Sequence, residues 1–321
     1  MEHADLAYAG DRLGHLYRFD LIDDDFDDWT VTLLFTATYD DAGVDQIQPI
    51  LTKPLVVKHP DRPGYVISFG TGSFITEDDG ANTDIQSIYG IWDPLVVNPI
   101  TAQPDTKETR LVQQVMTNVV DDTLNPSQTR RVLTSNSVEY EAESVGAGTY
   151  GWYIDLDIPR AADTVSGGVN PDLSGNAPPG PQFPGEKAIR HFIFRDGAVI
   201  TPTVLPATDA TSCFGAPAGA ILVFSALTGG DFGSALIDFN SDGVVDEDDM
   251  VMVDGEEHSA GLLFNQNDLA GSLVDLSVLG SEGDTDFLVV SGGSDTILFR
   301  FDDLTDNKTG RLSWTEIENL D

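Results

Sequence analysis

Apolar and polar residues alternate in short runs along most of this chain, which is the pattern of half-buried β-strands. The first run covers residues 6–10, and a turn at residues 11–14 leads into a second run at residues 15–20. The pattern therefore predicts a β-hairpin at the start of the chain. Further strands are predicted at residues 29–35, 54–57, 65–72, 87–93, 151–156, 198–204 and 220–224.

The opening hairpin has a counterpart near the end of the chain. Residues 287–302 again contain an apolar strand, a turn with glycines and a second strand. The second strand reads Leu-Tyr-Arg-Phe-Asp in the first hairpin and Leu-Phe-Arg-Phe-Asp in the last one. Short strands with a repeated hairpin favour an all-β fold of the β-propeller type over a sandwich. At roughly 40–50 residues per blade, the chain would hold about six to seven blades.

Two stretches depart from this pattern. Residues 106–120 have apolar positions that are compatible with one amphipathic helix. Residues 161–186 are rich in Gly, Pro, Asn and Ser and are predicted to form a long exposed loop. Because similar strands lie on both sides of this loop, we interpret it as an insertion within one domain that spans residues 1–321.

The acidic composition narrows the classes of partner. The chain has 54 Asp and Glu residues against 16 Lys and Arg, which gives a formal net charge of -38. This charge repels phosphates and therefore argues against nucleic acid and anionic membrane surfaces as partners. No apolar run reaches the length of a membrane-spanning helix, so we expect no membrane insertion. Cys213 is the only cysteine, which excludes an intrachain disulfide and a cysteine-based zinc site.

One acidic segment has the spacing of a calcium-binding loop. Residues 238–246 place oxygen-bearing side chains at the first, third, fifth and ninth positions and a glycine at the sixth. This is the spacing of an EF-hand loop, which surrounds Ca²⁺ with oxygen ligands and takes a backbone carbonyl from its seventh position. The predicted ligands are Asp238, Asn240, Asp242, Asp246 and the backbone carbonyl of Val244.

The surroundings of this loop differ from those of an EF-hand. The twelfth position holds Asp249 instead of the usual Glu, and Asp249 is a further candidate ligand. Residues 234–237 and 250–253 are short and mostly apolar, so we expect an EF-hand-like loop between strands and not between helices. Val245 is expected to anchor the loop to the core. The alternative is an acidic turn without a metal, since Asp is abundant in this chain.

The sequence contains no recognisable motif of enzymatic chemistry. The five histidines lack the H-E-x-x-H spacing of a zinc site, and no serine lies in a G-x-S-x-G motif. The many carboxylates do not single out one glycosidase-like pair. Trp92, Trp152 and Trp314 lie in strand-like segments, so we expect them to belong to the core.

Several short motifs occur in an order that is typical of one protein family. They are Tyr-Ala-Gly-Asp at 8–11, Leu-Tyr-Arg-Phe-Asp-Leu at 16–21, Phe-Gly-Thr-Gly at 69–72, Tyr-Gly-Ile-Trp-Asp at 89–93, Gly-Trp-Tyr-Ile-Asp-Leu at 151–156, Gly-Glu-Lys at 185–187, Cys-Phe-Gly at 213–215, Thr-Gly-Gly at 228–230, the acidic loop at 238–246 and Gly-Arg-Leu-Ser-Trp-Thr-Glu-Ile at 310–317. In this order the chain resembles the C-terminal β-propeller of PilY1/PilC-type proteins of type IV pili.

The resemblance implies a modified, quinoprotein-like propeller without quinone chemistry. It also implies an exported, non-enzymatic factor that promotes pilus assembly and extension through contacts with pilins or minor pilins. Such a factor lies in the periplasm, at the outer-membrane surface or at the pilus tip, where it acts as an adhesin. In that family, calcium binding regulates pilus extension and retraction, and the same motif falls on residues 238–246 of this chain.

The front of the chain departs from the family pattern. Family members have a signal peptide, an N-terminal adhesive region and earlier blades, so we expect this chain to be a fragment with an incomplete propeller. Two other functions stay open, namely a structural calcium-stabilised adhesion module and a quinone-dependent propeller dehydrogenase. The sequence argues against the dehydrogenase because it has no pair of neighbouring cysteines and no evident set of cofactor-stacking residues.

Overall fold

The computed structural model shows a chain built almost entirely of β-strands. It describes residues 5–23, 25–41, 44–95, 107–121, 128–140, 149–157, 184–205, 219–264, 275–280, 286–291 and 296–301. The predicted loop at 161–186 lies outside the described residues except for its last three positions. Cys213 and the closing motif at 310–317, with Trp314, also lie outside them.

Strands account for nearly all the regular structure, and the described helices are short. The strands are β1 (Leu6–Gly10), β2 (His15–Asp20), β3 (Thr30–Thr36), β4 (Thr38–Asp41), β5 (Val44–Ile47), β6 (Leu55–Lys58), β7 (Tyr65–Gly70), β8 (Ser87–Asp93), β9 (Val112–Gln114), β10 (Met116–Asp121), β11 (Gln128–Leu133), β12 (Gly151–Asp155), β13 (Ile193–Arg195), β14 (Ala198–Val204), β15 (Gly219–Ser225), β16 (Val251–Val253), β17 (Glu256–His258), β18 (Gly261–Phe264), β19 (Asp275–Gly280), β20 (Asp286–Ser291) and β21 (Thr296–Phe301). The α-helices are α1 (Glu77–Ala81) and α2 (Lys107–Arg110). In the described part of the chain, no helix combines the length and the apolar composition needed to cross a membrane.

The strands form several sheets, most of which combine strands that are close together in the chain. Among the described strands, all pairings are antiparallel except that of β9 with β12. Four larger sheets have the strand orders β1-β2-β3 (the first sheet), β6-β7-β8-β12-β9 (the five-stranded sheet), β10-β11-β18-β15-β14-β13 (the six-stranded sheet) and β19-β20-β21 (the last sheet). The pairs β4-β5 and β16-β17 complete the described set.

The four larger sheets pack face to face through layers of buried side chains. This arrangement of successive sheets is typical of propeller blades. The layers contain Leu16, Phe35 and Tyr89 between the first and five-stranded sheets, Ile88, Trp152 and Phe224 between the five-stranded and six-stranded sheets, and Ile200, Val223 and Phe299 between the six-stranded and last sheets. Trp92 and Trp152 are 3% and 0% exposed, which confirms that both belong to the core.

The central strands are apolar on both faces because each sheet packs against two neighbours. In β14, Val199 points to the five-stranded sheet while Ile200 points to the last sheet. In β15, Phe224 points to the five-stranded sheet and Val223 points to the last sheet. Neighbouring residues of a strand point to opposite faces, so a strand between two sheets is buried at nearly every position and is mostly apolar. This explains the apolar runs at residues 198–200 and 220–224 of these two strands.

The two hairpins predicted from the repeated motif are both present. β1 pairs with β2, and β20 pairs with β21, each in antiparallel register. The first turn is shaped by Asp11, whose carboxylate accepts hydrogen bonds from the backbone N–H groups of Leu13 at 2.8 Å and His15 at 2.9 Å. Gly14 has a φ of 78°, a conformation that glycine adopts without steric cost.

The helix predicted for residues 106–120 is wrong. The structure has only the four-residue helix α2 there, and strands β9 and β10 follow it. In β10, buried Met116 and Asn118 flank the half-buried Thr117, which is the period of a strand. Pairing with β11 and the β-branched residues Val119 and Val120 favour the extended conformation over the helical one.

Candidate calcium loop

The predicted calcium loop lies between the six-stranded sheet and the last sheet. It begins after Ile237, which forms a single β-bridge with Phe301, and it ends in a 3₁₀ helix (Glu247–Asp249) that leads into β16. β16 confirms the strand predicted after the loop. The strand predicted at residues 234–237 is wrong, because this segment meets β21 only at its last residue.

Two residues with positive φ shape the turn of the loop. Ser241 has a φ of 62° and Gly243, at the sixth position, has a φ of 93°. The N–H of Gly243 donates to Oδ2 of Asp238 at 3.0 Å, so the sixth position is tied to the first. Glycine at this position thus allows both the backbone conformation and the bond that curls the loop.

The other predicted ligands also form hydrogen bonds inside the loop. Oδ1 of Asn240 accepts from the N–H of Asp242 at 2.8 Å, and Oδ1 of Asp242 accepts from the N–H of Val244 at 2.8 Å. Oδ1 of Asp246 accepts from the N–H of Asp248 at 3.0 Å. Each bond joins a side-chain oxygen to the N–H two residues later and so makes a local turn. Amide and carboxylate oxygens have two lone pairs each, so these turns leave acceptor capacity for a cation.

The loop has a buried acidic start and an exposed rim. Asp238 is 4% exposed, whereas Asp242 and Asp246 are exposed. The predicted anchor Val245 is only half-buried. Phe239, at the second position, is 4% exposed and belongs to the core layer between the six-stranded and last sheets. The main apolar anchor of the loop is therefore Phe239.

Asp249, the further candidate ligand, joins the two ends of the loop. Its Oδ1 accepts hydrogen bonds from the N–H groups of Phe239 at 2.7 Å and Asn240 at 3.1 Å, and its Oδ2 accepts from the N–H of Asp246 at 3.2 Å. Burial raises the pKa of Asp249, the backbone hydrogen bonds oppose this shift, and the charge of Asp238 adds to it. Both oxygens of Asp249 are thus engaged in holding the loop closed.

One unpaired oxygen indicates what the loop could bind. Oδ1 of Asp238 is buried and has no hydrogen-bond partner in the structure. A buried carboxylate oxygen without a partner is unfavourable, and a hard cation would supply the missing interaction. Within the described ranges, no three His, Cys, Asp or Glu side chains converge on a possible metal position. The loop also offers an amide oxygen and a backbone carbonyl, so its donor set fits Ca²⁺, with Asp238, Asn240, Asp242, Val244 and Asp246 as the residues that would hold it.

Two arginines that the sequence analysis did not connect with the loop hold it in place. Nη2 of Arg130, from β11, donates to the backbone carbonyl of Asp249 at 2.7 Å, and its guanidinium lies 3.9 Å from the ring centre of Phe239. Burial lowers the pKa of Arg130 to about 10, although neighbouring carboxylates oppose the shift. Arg300, from β21, donates to the backbone carbonyl of Gly243. No local pattern in the sequence connects either arginine to the loop.

Similarity to known proteins decides the family. A family model described as the PilY1 beta-propeller domain matches residues 2–129. The crystal structure of the Pseudomonas aeruginosa PilY1 C-terminal domain covers 94% of this chain with a TM-score of 0.69 and 23% sequence identity. The chain contains a PilY1-type β-propeller. A PilY1 homolog from Xylella fastidiosa, named a type IV pilus biogenesis factor, is 30% identical over 74% of this chain. PilY1 from one Pseudomonas aeruginosa strain is also named a type IV pilus biogenesis factor, and it is 25% identical over 98% of this chain.

These PilY1 relatives are much longer than the present chain. The chain spans 16% of the Xylella homolog, 27% of the Pseudomonas protein and 57% of the solved C-terminal-domain chain. The resemblance and the all-β propeller fold inferred from the sequence motifs are confirmed. The number of blades and the calcium site stay predictions.

Proposed function

We propose that this chain is the calcium-binding propeller of a type IV pilus biogenesis factor and that calcium occupancy of its loop regulates pilus extension. The observation that carries the proposal is the match to PilY1 in both family model and fold. The calcium part is supported by the EF-hand-like spacing and by the unpaired buried oxygen of Asp238. The proposed partners are pilus components, namely pilins or minor pilins.

The proposed role is non-enzymatic and takes place outside the cytoplasm. The relatives carry the name type IV pilus biogenesis factor, which describes assembly and not catalysis. We place the protein in the periplasm, at the outer-membrane surface or at the pilus tip, where it would also act as an adhesin. The net charge of -38 suits a site of action with abundant divalent cations and away from nucleic acid.

Electrostatic repulsion provides the physical basis of the switch. The carboxylates of Asp238, Asp242 and Asp246 lie within nine consecutive residues. Without a cation they repel one another and favour a more open loop, whereas bound Ca²⁺ compensates their charge. From this ligand set we expect a dissociation constant on the order of 10⁻⁶ to 10⁻⁴ M. The lack of a Glu at the twelfth position favours the weaker part of that range.

The test is an Asp242→Ala substitution in the complete gene of a piliated cell. Asp248→Ala removes an exposed carboxylate of the same segment that is not a predicted ligand, and it serves as the matched control. We expect Asp242→Ala to reduce surface pili and twitching motility at unchanged protein level, and Asp248→Ala to leave both unchanged. Normal piliation and twitching in Asp242→Ala would overturn the regulatory role.

A structural role for calcium is the second candidate. It is favoured by the position of Phe239, which connects the loop directly to the core. A purely structural site in a surface adhesion module predicts calcium-dependent stability without a pilus phenotype, so the same pair of variants separates the two functions. A quinone-dependent dehydrogenase would require an absorbance change when pyrroloquinoline quinone is added with calcium, and an unchanged spectrum would exclude it.

A further inference from the structure

The first half of the calcium loop is bonded to the last described strand, β21. The bridge between Ile237 and Phe301 brings the two segments side by side. One residue further on, the N–H of Asp238 donates to the backbone carbonyl of Arg300 at 3.0 Å. The residue that carries the unpaired buried oxygen is therefore held by β21 through its own backbone.

Two side chains of β21 continue this contact along the loop. The ring of Phe299 lies 5.5 Å from the ring of Phe239 in a T-shaped arrangement, and both rings are buried. The guanidinium of Arg300 donates to the carbonyl of Gly243. Gly243 directly precedes Val244, whose backbone carbonyl is a predicted calcium ligand. The orientation of the peptides at the sixth and seventh positions thus depends on β21.

The second half of the loop is held by a different sheet. Arg130, from β11 of the six-stranded sheet, donates to the carbonyl of Asp249 at the end of the loop. The loop therefore joins two sheets, with its ligand-rich first half on β21 and its end on the six-stranded sheet. A cation that orders the first half acts on the backbone to which β21 is hydrogen-bonded.

We propose that β21 is a structural part of the calcium site, with Phe299 and Arg300 as positioning residues, so that calcium binding and the docking of β21 stabilise each other. The inference rests on the calcium part of the proposed function, and it names β21 as the strand that responds when calcium occupies the loop. Thermodynamic reciprocity requires that each of the two processes, calcium binding and strand docking, favours the other. If the docked strand raises the affinity of the loop for calcium, calcium must favour docking by the same factor.

Hydrogen exchange of the unmodified chain tests the first direction. We expect calcium to slow amide exchange of Thr296–Phe301 by about fivefold or more. Exchange of Tyr65–Gly70, a strand of the five-stranded sheet that lies outside the core cluster of Phe239, should change less and serves as the internal control. Calorimetric titration of calcium into the same sample shows whether the site binds. Binding without selective slowing of β21 overturns the inference alone, whereas absence of binding overturns the calcium site and the inference together.

Variants of β21 test the reciprocal direction. Phe299→Leu removes the ring contact with Phe239 but keeps an apolar side chain, and Arg300→Lys keeps the positive charge but changes the donor to Gly243. We expect each variant to bind calcium more weakly, with a dissociation constant that is raised by about threefold or more. Leu298→Ala, at a position that is 58% exposed on the same strand, is the matched control and should leave the constant unchanged.

Circular dichroism of these variants separates a local effect from a loss of folding. If Phe299→Leu does not fold, the calcium affinity of Arg300→Lys and the exchange data on the unmodified chain still test whether β21 is part of the calcium site. Calcium affinities of folded Phe299→Leu and Arg300→Lys that equal that of the unmodified chain would overturn the positioning role.

Discussion

Arg18 and Asp93 form a buried ion pair between the first sheet and the five-stranded sheet. Nη1 of Arg18 lies 2.8 Å from Oδ1 and 3.0 Å from Oδ2 of Asp93. The hydroxyl of Tyr8 also donates to this carboxylate, at 3.0 Å, and burial together with the Asp93 charge raises the pKa of Tyr8 far above its usual value. The Arg of the first hairpin and the Asp of Tyr-Gly-Ile-Trp-Asp, two separate motifs in the sequence, are thus one contact in the fold.

Removal of Asp93 should therefore destabilise the protein strongly. Asp93→Ala leaves the charge of Arg18 buried without a partner, and we expect a loss of about 3–5 kcal/mol in the free energy of unfolding. Urea denaturation monitored by fluorescence measures the change.

A less buried ion pair provides the control for this prediction. Asp286 lies 3.7 Å from Arg195, with side chains that are 18% and 36% exposed, so Asp286→Ala should cost less than about 1 kcal/mol. The double variant Arg18→Met/Asp93→Leu should recover part of the lost stability, because an apolar pair needs no charge compensation. Equal losses for Asp93→Ala and Asp286→Ala would contradict the assigned role.

The indole of Trp152 is packed between two glycines from different motifs. A Cβ added to Gly90 would lie 2.2 Å from Cε2 of Trp152, and one added to Gly229 would lie 2.2 Å from Cε3. Because Trp152 is completely buried, it cannot move away into solvent. Gly90→Ala should cost about 3 kcal/mol through overpacking, measured as a shift of the urea midpoint.

A glycine in open surroundings gives the comparison for Gly90. A Cβ on Gly80, in α1, would meet its nearest neighbour, a ring carbon of Phe74, at an ordinary 3.5 Å. Gly80→Ala should change stability by less than about 1 kcal/mol, with stabilisation favoured by helix propensity. The double variant Gly90→Ala/Trp152→Phe should be less affected than the sum of its single changes. A stability of Gly90→Ala within experimental error of the parent would disprove the close packing.

Asp79 should make the free energy of unfolding decrease as the pH falls into the acid range. Its Oδ2 accepts from the N–H groups of Thr76 at 2.9 Å and Ile75 at 2.8 Å and from the hydroxyl of Ser73 at 2.8 Å. These hydrogen bonds hold the pKa of Asp79 well below its usual range, and the bond from the N–H of Thr76 has the largest effect. The stabilisation is complete above the unfolded-state pKa of about 4 and is lost as the pH falls towards the folded-state value.

The measurement compares Asp79→Asn with the unmodified chain at several pH values. The difference in free energy of unfolding should be largest near neutral pH and should shrink below about pH 4. Asp78→Asn removes an exposed carboxylate of the same helical turn and controls for the change in net charge. A difference for Asp79→Asn that is independent of pH between 7 and 3 would contradict this explanation.

Strands were predictable from the sequence because their burial makes them apolar in recognisable patterns. The predicted boundaries of Ser87–Asp93 and Ala198–Val204 agree with the structure, since both strands are buried along their whole length. Strand pairing was not predictable where it joins distant segments. The parallel pairing of β9 with β12 and the place of β18 between β11 and β15 depend on contacts across many residues.

The candidate site shows the same division between local and distant information. The spacing of residues 238–246 predicted a curled acidic loop, and the bond from Gly243 to Asp238 confirms its curl. The sequence did not show that Asp249 closes the loop, because its bonds depend on where the backbone of Phe239 lies. It also did not show the contact of Arg300 with Gly243, which joins residues 57 positions apart along the chain.

Calcium should stabilise the fold to an extent that follows from its affinity. A ligand that binds only the folded state at about 100 times its dissociation constant adds about 2.7 kcal/mol to the free energy of unfolding. We therefore expect a higher thermal midpoint in calcium than in a chelator. Asp238→Asn, which halves the acceptor capacity of the buried carboxylate, and Asp242→Ala should both lose most of this gain.

The specific part of this effect has to be separated from charge screening. A chain with a net charge of -38 gains stability from any divalent cation, because screening weakens the repulsion among its carboxylates. Magnesium at equal concentration supplies the same screening but prefers a smaller, octahedral site, so it should occupy this loop poorly. The prediction is thus a calcium-minus-magnesium difference in the thermal midpoint that is positive in the unmodified chain and in Asp248→Ala and absent in Asp242→Ala. Equal midpoints in calcium and magnesium for the unmodified chain would show that the acidic loop is a turn and not a calcium site.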